Sequence, residues 1–464
     1  MRGRWPTVTC LLATLTLAVT ACGGDEDDGG GGEQATDGQN RVVVYSSFPL
    51  QGASRPIGTA LVNGIQLGFK QAGNQAGGVT IEYRSLDDST AQAGTWTPEQ
   101  ESANARRAAL DESAVAYLGT FNSGAAAIAI PILNEAGLAM LSPGNTAVGL
   151  TTDEAGAEKG EPERYYPTGQ RNYARIVPKD TIQGAALATV MEQDGCTNVA
   201  ILHDKEVYGA GLARNVESSA EELGLEVGPN TGIDPKAANY RSAAAELERA
   251  GADCFVYSGI TANNAVQLFK DVAAALPDAR LYGPDGVAES SFFDPDEGGL
   301  PQDVGQRTKV TVATLDPDEY PPEGREFFEA YRQEYGEEDP NPYAIYGYEA
   351  ARLLLDVLER AEDPTDRTAV VEALFNTKDR ESVLGTYSID ESGDTTLTSY
   401  GVYRIEDGRL VFDQEVQPGG DEEPGGAGEP GGAGEPGGAE EPGGAGEPGA
   451  EEPGGGTAPE GESP

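Results

Sequence analysis

The sequence predicts an α/β fold with two doubly wound parallel-sheet domains, joined by three hinge crossovers, and a ligand cleft between them. Strand-like and helix-like segments alternate strictly through residues 41–417, and the strands are short, continuous apolar runs. This pattern is typical of parallel sheets that helices cover on both faces. The alternation falls into two sets of about equal length, and 377 residues are too many for one ordinary domain.

The first set lies between residues 41 and 141. Leu61, Ile65 and Phe69 recur near a 3.6-residue spacing, which indicates a helix with one buried face. Thr97 and Pro98 suit the N-cap and the first position of the next helix. We expect strands at 41–45, 79–83, 115–118 and 138–141, and helices at 58–73, 97–111 and 124–136.

The second set lies between residues 198 and 282 and repeats the same rhythm. Ligands of doubly wound sheets lie beyond the carboxyl ends of the strands. Two such domains that face each other therefore place the ligand in the cleft between them. We expect strands at 198–203, 225–227, 253–258 and 280–282, and helices at 209–223, 239–250 and 262–275.

The chain is strongly acidic. Its 464 residues include 31 Lys and Arg against 78 Asp and Glu, which gives a net charge of −47. Residues 41–417 alone carry a net charge of −31. Nucleic acids and anionic lipid headgroups both bind basic surfaces, so neither is an expected partner.

Residues 1–21 have the pattern of a signal peptide, in which a positively charged start precedes a short apolar run. The Val-Thr-Ala-Cys sequence that ends at Cys22 resembles a bacterial lipobox, which would make Cys22 the lipidated first residue of the mature chain. An ordinary secretory signal with a coincidental cysteine is the alternative. Residues 22–40 are rich in Gly, Asp and Glu, which predicts a flexible tether to a lipid anchor.

Residues 418–464 repeat Glu-Pro-Gly-Gly-Ala-Gly and contain no aromatic or branched apolar residue. Part of this segment has glycine at every third position, which invites a collagen interpretation. Glu440 breaks that period after a few triplets, so a triple helix is not expected. We predict a disordered acidic tail.

Two cysteines remain for the folded part. Cys196 precedes one predicted strand and Cys254 opens another, and these strands are expected to be neighbours in a parallel sheet. A disulfide and two buried free thiols are both open, since the expected compartment permits disulfides. Neither cysteine has histidine or acidic neighbours at metal-ligand spacing, so we predict no metal site.

Motifs of catalysis and cofactor binding are weak. Gly209-Ala-Gly211 superficially resembles a dinucleotide loop, but Arg214 stands where the third glycine belongs. There is no GxxxxGK phosphate loop, and the only histidine, His203, cannot form a histidine-based metal cluster. The sequence has no Gly-x-Ser-x-Gly nucleophile motif to act with this histidine. We therefore predict neither an enzyme nor a cofactor.

Six segments resemble the branched-chain amino acid binding proteins of bacterial ABC transporters, the leucine/isoleucine/valine-binding family with the class I periplasmic binding fold. Their order and spacing match over almost all of residues 41–417, and the fifth segment is the most specific. The six are Phe48-Pro-Leu-Gln-Gly52, Gly119-Thr-Phe-Asn-Ser-Gly124, Leu141-Ser-Pro-Gly-Asn-Thr146, Tyr173-Ala-Arg-Ile-Val-Pro-Lys-Asp-Thr-Ile-Gln-Gly-Ala185, Ala200-Ile-Leu-His-Asp-Lys-Glu-Val-Tyr-Gly-Ala-Gly-Leu-Ala-Arg214 and Tyr282-Gly-Pro-Asp-Gly286.

The resemblance implies a monomeric, lipid-anchored, extracytoplasmic solute-binding protein that closes on an amino acid and presents it to an ABC permease. A sensor module of the same fold, or a binder of amides, urea or aromatic acids, is the alternative. The implied lobes are 41–176 with 312–385, and 177–311 with 386–417, with hinge crossings near Ile176, Val312 and Thr386.

The resemblance also implies a set of site residues. In the family, the positions of Ser123, Gly144, Asn145 and Thr146 bind the carboxylate and ammonium of the ligand. Both charges lose water in a closed cleft and need partners, and hydroxyls or N–H groups at a helix N-terminus suit a carboxylate. An N-cap role for Ser123, before a helix predicted from Gly124, is the alternative.

Two further positions match across the cleft. Asp285 matches the acidic residue that binds the ammonium, and Tyr208 matches an aromatic residue that closes over the ligand from the second lobe. A turn aspartate and ordinary packing are the alternatives. The sequence departs from the family at Ile260, where these binders tend to carry an aromatic residue, so the choice of amino acid stays open.

Overall fold

The structure is a computed structural model that describes residues 40–337 and 340–418. The predicted signal peptide, the lipidation site at Cys22, the tether and the repeat tail fall outside these ranges, apart from residues 40 and 418. Among the described residues, no helix combines the length and apolar character that crossing a membrane requires.

Strands and helices alternate along the described chain. The strands are β1 (Arg41–Phe48), β2 (Gln75–Ala76), β3 (Val79–Asp87), β4 (Ser89–Thr90), β5 (Thr95–Trp96), β6 (Ala114–Gly119), β7 (Ala139–Ser142), β8 (Tyr173–Arg175), β9 (Asn198–His203), β10 (Glu226–Gly232), β11 (Cys254–Ser258), β12 (Arg280–Gly283), β13 (Thr308–Val312), β14 (Arg380–Ser382), β15 (Gly385–Tyr387), β16 (Tyr400–Glu406) and β17 (Arg409–Val416). The helices are α1 (Arg55–Gln71), α2 (Pro98–Leu110), α3 (Ser123–Glu135), α4 (Asp180–Gln193), α5 (Val207–Glu222), α6 (Arg241–Ala250), α7 (Ala265–Ala275), α8 (Ser290–Phe293), α9 (Gln302–Gly305), α10 (Pro322–Tyr335), α11 (Ala344–Arg360) and α12 (Arg367–Phe375).

The first sheet has the strand order β2-β3-β1-β6-β7-β8. Its strands are parallel apart from β2, a two-residue strand that pairs antiparallel with β3. Every residue of the central strand β1 from Val42 to Phe48 is buried. Burial on both faces explains why residues 42–45 of this strand form a continuous apolar run rather than an alternating one.

The second sheet has the strand order β10-β9-β11-β12-β13-β16-β17. The strands from β10 to β13 are parallel, whereas β16 and β17 join antiparallel at one edge. The two sheets together confirm the predicted α/β class with two domains. The antiparallel edge was not predicted, because the strand-by-strand interpretation ended at residue 282.

The chain passes between the two domains after β13. The helix α11 packs along α1 beside the first sheet, and this close approach depends on two glycines. A Cβ on Gly64 would lie 2.2 Å from the Ala344 carbonyl oxygen, and one on Gly347 would lie 2.2 Å from that of Leu61. The strands β16 and β17 then belong to the second sheet. The exact lobe boundaries at residues 176, 312 and 386 stay predictions.

All the strands and helices predicted in the two sets occur, with ends that differ by a few residues. Thr97 caps α2 as predicted, because its side chain accepts a hydrogen bond from the Gln100 N–H, and Pro98 is the first helical residue. The largest difference is β10, which runs to Gly232 instead of ending at residue 227.

Cys196 and Cys254 form a disulfide, which resolves the alternative that the sequence left open. The prediction that neither cysteine has an acidic neighbour at metal-ligand spacing was wrong, since the Asp253 carboxylate lies within 4.8 Å of both sulfur atoms. That carboxylate accepts hydrogen bonds from the N–H groups of Thr197 and Asn198. Oxidised sulfur atoms provide no thiolate ligands, so this cluster is a structural link between β9 and β11.

Candidate functional site

A small enclosed cavity lies where the carboxyl ends of strands from the two sheets face each other. Its volume is about 20 Å³, which is room for about one water molecule. One wall follows β6 and β7 of the first sheet, and the other follows β9, β11 and β12 of the second. The cavity is lined by Phe121, Asn122, Ser123, Gly144, Thr146, Glu206, Tyr208, Ile260, Asp285 and Gly286.

The N-terminus of α3 forms one part of this cavity. The helix begins at Ser123, so the N-cap is Asn122, and the alternative of Ser123 as an N-cap before a helix starting at Gly124 was wrong. In the described chain, the N–H groups of Ser123 and Gly124 have no hydrogen-bond acceptor. Free N–H groups and the helix dipole give this end of α3 a positive potential that suits an anion.

Asn122 adds an unpaired acceptor to the same wall. Its side chain is buried, and its Oδ1 atom accepts no hydrogen bond from any residue that the structure describes. The Ser123 hydroxyl, in contrast, accepts a hydrogen bond from the Ala147 N–H at 3.3 Å. This contact links the first turn of α3 to the neighbouring turn after β7.

Trp96 closes the outer side of the α3 N-terminus. A Cβ on Gly124 would lie 2.6 Å from the indole ring, so glycine is required for the two to pack this closely. The same Cβ would lie 3.7 Å from a carboxylate oxygen of Glu206, which reaches across from the second sheet. Glu206 also accepts a hydrogen bond from the Asn263 side chain at 3.0 Å.

The turn after β7 contributes Gly144 and Thr146 but not Asn145. The Ser142 hydroxyl accepts hydrogen bonds from the N–H groups of Gly144 and Asn145, at 3.1 and 2.8 Å, so neither group is free for a ligand. The Asn145 side chain points inward and donates to the Phe121 carbonyl oxygen. Asn145 is therefore part of the support of this turn, whereas Thr146 lines the cavity.

Arg175 stabilises the turn after β7 through hydrogen bonds to its backbone. Its fully buried guanidinium donates to the carbonyl oxygens of Asn145 and Ala147, at 3.2 and 2.8 Å. It also forms a salt bridge with Asp394, with Nε and Oδ1 2.7 Å apart. Although burial opposes it, the charge of Arg175 lowers the pKa of Asp394, so the pair is ionised.

Asp285 connects the two walls. Tyr208, on the same side of the cleft, donates a hydrogen bond to its Oδ1 atom at 2.5 Å. Tyr343, which directly precedes α11 beside the first sheet, donates to its Oδ2 atom at 2.5 Å. Burial raises the pKa of Asp285 above its usual range, and the two tyrosine hydroxyls oppose that rise. An Asp285–Tyr343 contact therefore spans the cleft.

Asp180, the first residue of α4, carries a second buried carboxylate close to Asp285. It is fully buried, and neither of its oxygen atoms accepts a hydrogen bond within the described residues. Burial and the negative charge of Asp285 raise its pKa well above the usual range. Its own N–H donates to the Thr146 carbonyl oxygen at 2.8 Å, which places it directly behind the cavity wall.

Ile260 lines the cavity from the end of β11. The buried Asp204 carboxylate accepts hydrogen bonds from the Ile260 N–H and from the Asn263 side chain, at 3.0 and 2.9 Å. These two bonds fix the turn that presents Ile260. Since Ile260 is apolar and branched, it offers a surface for the side chain of a ligand rather than for its charges.

Five of the six predicted binding positions thus line one cavity: Ser123, Gly144, Thr146, Tyr208 and Asp285. Sequence reasoning missed Asn122, Glu206, Tyr343 and Asp180. Glu206 stands within a segment already singled out, two residues before Tyr208, so it was within reach. Tyr343 lies in no motif, and only the return of the chain to the first sheet brings it to Asp285.

The cleft lies between two α/β domains, with free helix N–H groups on one wall and a buried carboxylate on the other. This arrangement is that of a solute-binding protein that closes on its ligand. The periplasmic binding protein family matches residues 46–409 of the chain. The chain belongs to this family, whose members are extracytoplasmic binding proteins.

Curated relatives are similar over most of the chain. Leu/Ile/Val-binding protein homolog 1 of Brucella suis biovar 1 is 25% identical over 369 residues, covering 79% of this chain and 91% of the relative. The leucine-, isoleucine-, valine-, threonine- and alanine-binding protein of Pseudomonas aeruginosa is 25% identical over 336 residues, covering 71% of this chain and 81% of the relative.

Solved structures share the fold. A leucine-binding protein from Thermotoga maritima has a TM-score of 0.70 and 22% identity, covering 81% of this chain and 99% of its own. A solute-binding protein from R. palustris in complex with benzoate has a TM-score of 0.65 and 21% identity, covering 82% and 97%. These likenesses establish the type I periplasmic binding fold for this chain.

Proposed function

We propose that this protein captures an amino acid on the extracytoplasmic side by closing its cleft, and delivers it to an ABC permease. The observation that carries the proposal is the pair of opposite binding surfaces in one cavity. Free N–H groups at the start of α3 suit the ligand's carboxylate, and the Asp285 carboxylate suits its ammonium.

Asp180 strengthens the assignment of a cationic group. A buried carboxylate that accepts no hydrogen bond is costly, and a nearby cation removes much of that cost. Since the negative charge of Asp285 raises the pKa of Asp180, an ammonium near both acids would favour their ionised forms. An amine is therefore a better partner for this wall than a second carboxylate.

The ligand we favour is a branched-chain or similar amino acid. The names of the relatives from Brucella suis and Pseudomonas aeruginosa support leucine, isoleucine and valine. Ile260 gives an apolar contact for such a side chain. A benzoate, which the R. palustris protein binds, has no cationic group for Asp285, so we rank aromatic acids second.

Closure would be a hinge motion between the lobes 41–176 with 312–385 and 177–311 with 386–417, as the sequence predicts. The cavity holds only about 20 Å³, so an amino acid enters only when the Asp285–Tyr343 contact opens. Contacts of the ligand to both walls would then favour the closed arrangement. Both Tyr343 and Asp285 would line the entrance.

We propose further that Cys22 carries the lipid that retains the protein at the outer face of the membrane. The support is the lipobox-like sequence before Cys22 and the Gly-rich tether that follows it. Metabolic labelling with a palmitate analogue would mark the wild-type chain. Incorporation that persists in Cys22→Ala would refute this site.

Thermal unfolding of the chain with a panel of solutes tests the function. Ligand at about 100 times its Kd adds roughly 2.7 kcal/mol to the free energy of unfolding. We expect leucine, isoleucine or valine to raise the melting temperature, and urea to leave it unchanged. If no amino acid raises the melting temperature, whether or not benzoate does, the proposal is contradicted.

A further inference from the structure

A second and much larger cavity lies beside the cleft, between elements of the two domains. Its volume is about 610 Å³, which is in the range of small-molecule sites. One wall comes from the start of α1 and from α10, and the other from α8 and the β16–β17 hairpin. It shares no lining residue with the cavity that contains Asp285.

The inner surface of this cavity is aromatic. Phe328 of α10 and Tyr403 of β16 are buried, and the half-buried rings of Phe293 and Phe412 complete the surface. Tyr403 and Phe412 pack edge to face, with ring centroids 5.6 Å apart. Such rings provide a rigid apolar surface for a flat or branched hydrocarbon body.

Two arginines with free guanidinium groups line the same cavity from opposite walls. Arg55 begins α1 and Arg409 begins β17, and neither guanidinium forms a hydrogen bond or ion pair with any described residue. Acids outnumber bases 78 to 31 in this chain. Other arginines do pair with carboxylates, namely Arg84, Arg164, Arg175, Arg360, Arg380 and Arg404.

Among the residues that the structure describes, two acids also line the cavity without neutralising these arginines. Asp316 accepts the Asp318 N–H at 3.0 Å as the cap of a short helical turn. Neither Asp316 nor Glu337 forms an ion pair with Arg55 or Arg409 in the described part of the chain. The guanidinium groups therefore keep their capacity to bind an anion.

We propose that this cavity is a second binding site, for a small monocarboxylate with an aromatic or branched apolar body. The guanidinium groups would hold the carboxylate and the rings would hold the body. Inorganic anions lack the body, and uncharged aromatic molecules lack the carboxylate. Because the walls belong to different domains, an occupant would also stabilise the arrangement of domains seen here.

Calorimetric titration of the full chain with phenylacetate tests this site. The comparison molecules are phenylacetamide, which lacks the charge, and acetate, which lacks the ring. We expect saturable binding of phenylacetate and at least about tenfold weaker binding of both comparison molecules. Absence of saturable phenylacetate binding at millimolar concentration would overturn the proposal.

Variants locate the binding. The double variant Arg55→Gln, Arg409→Gln should weaken phenylacetate binding by about tenfold or more. The matched control Arg106→Gln, Arg107→Gln removes two exposed arginines of α2 and should leave it unchanged. If the Arg55→Gln, Arg409→Gln variant has a wild-type melting curve and binds phenylacetate with unchanged affinity, the site is refuted. Loss of binding in Asp285→Asn would place phenylacetate in the cleft instead and also refute it.

Discussion

Asp285 has both carboxylate oxygens within 2.5 Å of tyrosine hydroxyls, one from each side of the cleft. A carboxylate can accept further hydrogen bonds, so the tyrosines orient it without excluding an ammonium. Asp180, in contrast, accepts no hydrogen bond from the described residues. The two acids thus differ: both oxygens of Asp285 are held by tyrosines, whereas burial and the charge of Asp285 raise the pKa of Asp180 and favour its protonated form.

Replacing Asp285 with asparagine should weaken amino acid binding by more than about tenfold, because the ammonium loses its nearest charge. The change is nearly isosteric, but asparagine keeps an acceptor for only one of the two tyrosine hydroxyls. Calorimetric titration measures it, with Asp278→Asn, an exposed aspartate near the start of β12, as the control. Equal affinity in Asp285→Asn and wild type would remove Asp285 from the site.

Arg175→Met should lower the free energy of unfolding by about 3–5 kcal/mol, because it leaves the buried Asp394 with a weaker partner. The Lys179 ammonium lies 3.3 Å from Asp394 and remains as a partner, so we expect a loss near the lower end of this range. Urea unfolding measures the change. The double variant with Asp394→Asn should recover part of the loss, and a single-variant cost under about 1 kcal/mol would contradict this role.

At the scale of elements, helix α2 buries an acid against the first sheet. Glu101 accepts hydrogen bonds from Ser47 of β1 and Tyr117 of β6, at 2.6 and 2.7 Å. Burial raises its pKa to about 8 from 4.5. The folded chain therefore holds a proton there that the unfolded chain loses above pH 4.5.

This proton makes stability depend on pH. The contribution of Glu101 is complete below about pH 4.5 and is lost progressively as the pH rises to about 8. Glu101→Gln keeps the shape but cannot ionise, so its melting temperature should fall less than that of wild type between pH 5.5 and 8. Glu99→Gln, an exposed change on the same helix, is the control. If the melting temperatures of Glu101→Gln and wild type change with pH in parallel, Glu101 is not the source of this pH dependence.

The disulfide joins the approaches to β9 and β11 and closes a loop with a sequence separation of 58 residues. Removing it through Cys196→Ala and Cys254→Ala should cost about 4 kcal/mol by the loop-entropy relation. Denaturant unfolding of the oxidised protein and the double variant measures this cost. Since both cysteines lie at the amino ends of their strands, ligand affinity should not change; a stability loss near zero would contradict the prediction.

The elements of the two predicted sets were predictable because each is short, apolar or amphipathic, and bounded by turn residues, whereas β8 and α4 lie between the sets and were not predicted. The return of α11 to the first sheet and the β16–β17 edge depend on contacts far apart in sequence, which local pattern does not encode. The same reason explains why some site residues were predicted and others were missed. Ser123, Thr146 and Tyr208 follow strands, whereas Tyr343 reaches Asp285 across 58 residues of chain.

At the scale of the whole molecule, the cleft combines two properties that no single domain provides. In the function that we propose, the first-sheet wall supplies free N–H groups for the ligand's carboxylate, and the second-sheet wall supplies Asp285 for its ammonium. A zwitterion that bridges both walls gains contacts only when the domains are together. This requirement couples recognition of both charged ends to closure.

The most direct test of this bridging is a calorimetric comparison in the Arg55→Gln, Arg409→Gln variant, which lacks the arginines of the second cavity. Leucine is compared with two analogues, 4-methylpentanoate, which lacks the amine, and 3-methylbutylamine, which lacks the carboxylate. If both walls bind their charges, leucine should bind and each analogue should bind at least about a hundredfold more weakly. Binding of 4-methylpentanoate as tight as that of leucine would contradict the bridged arrangement and the role of Asp285 as the partner of the ammonium.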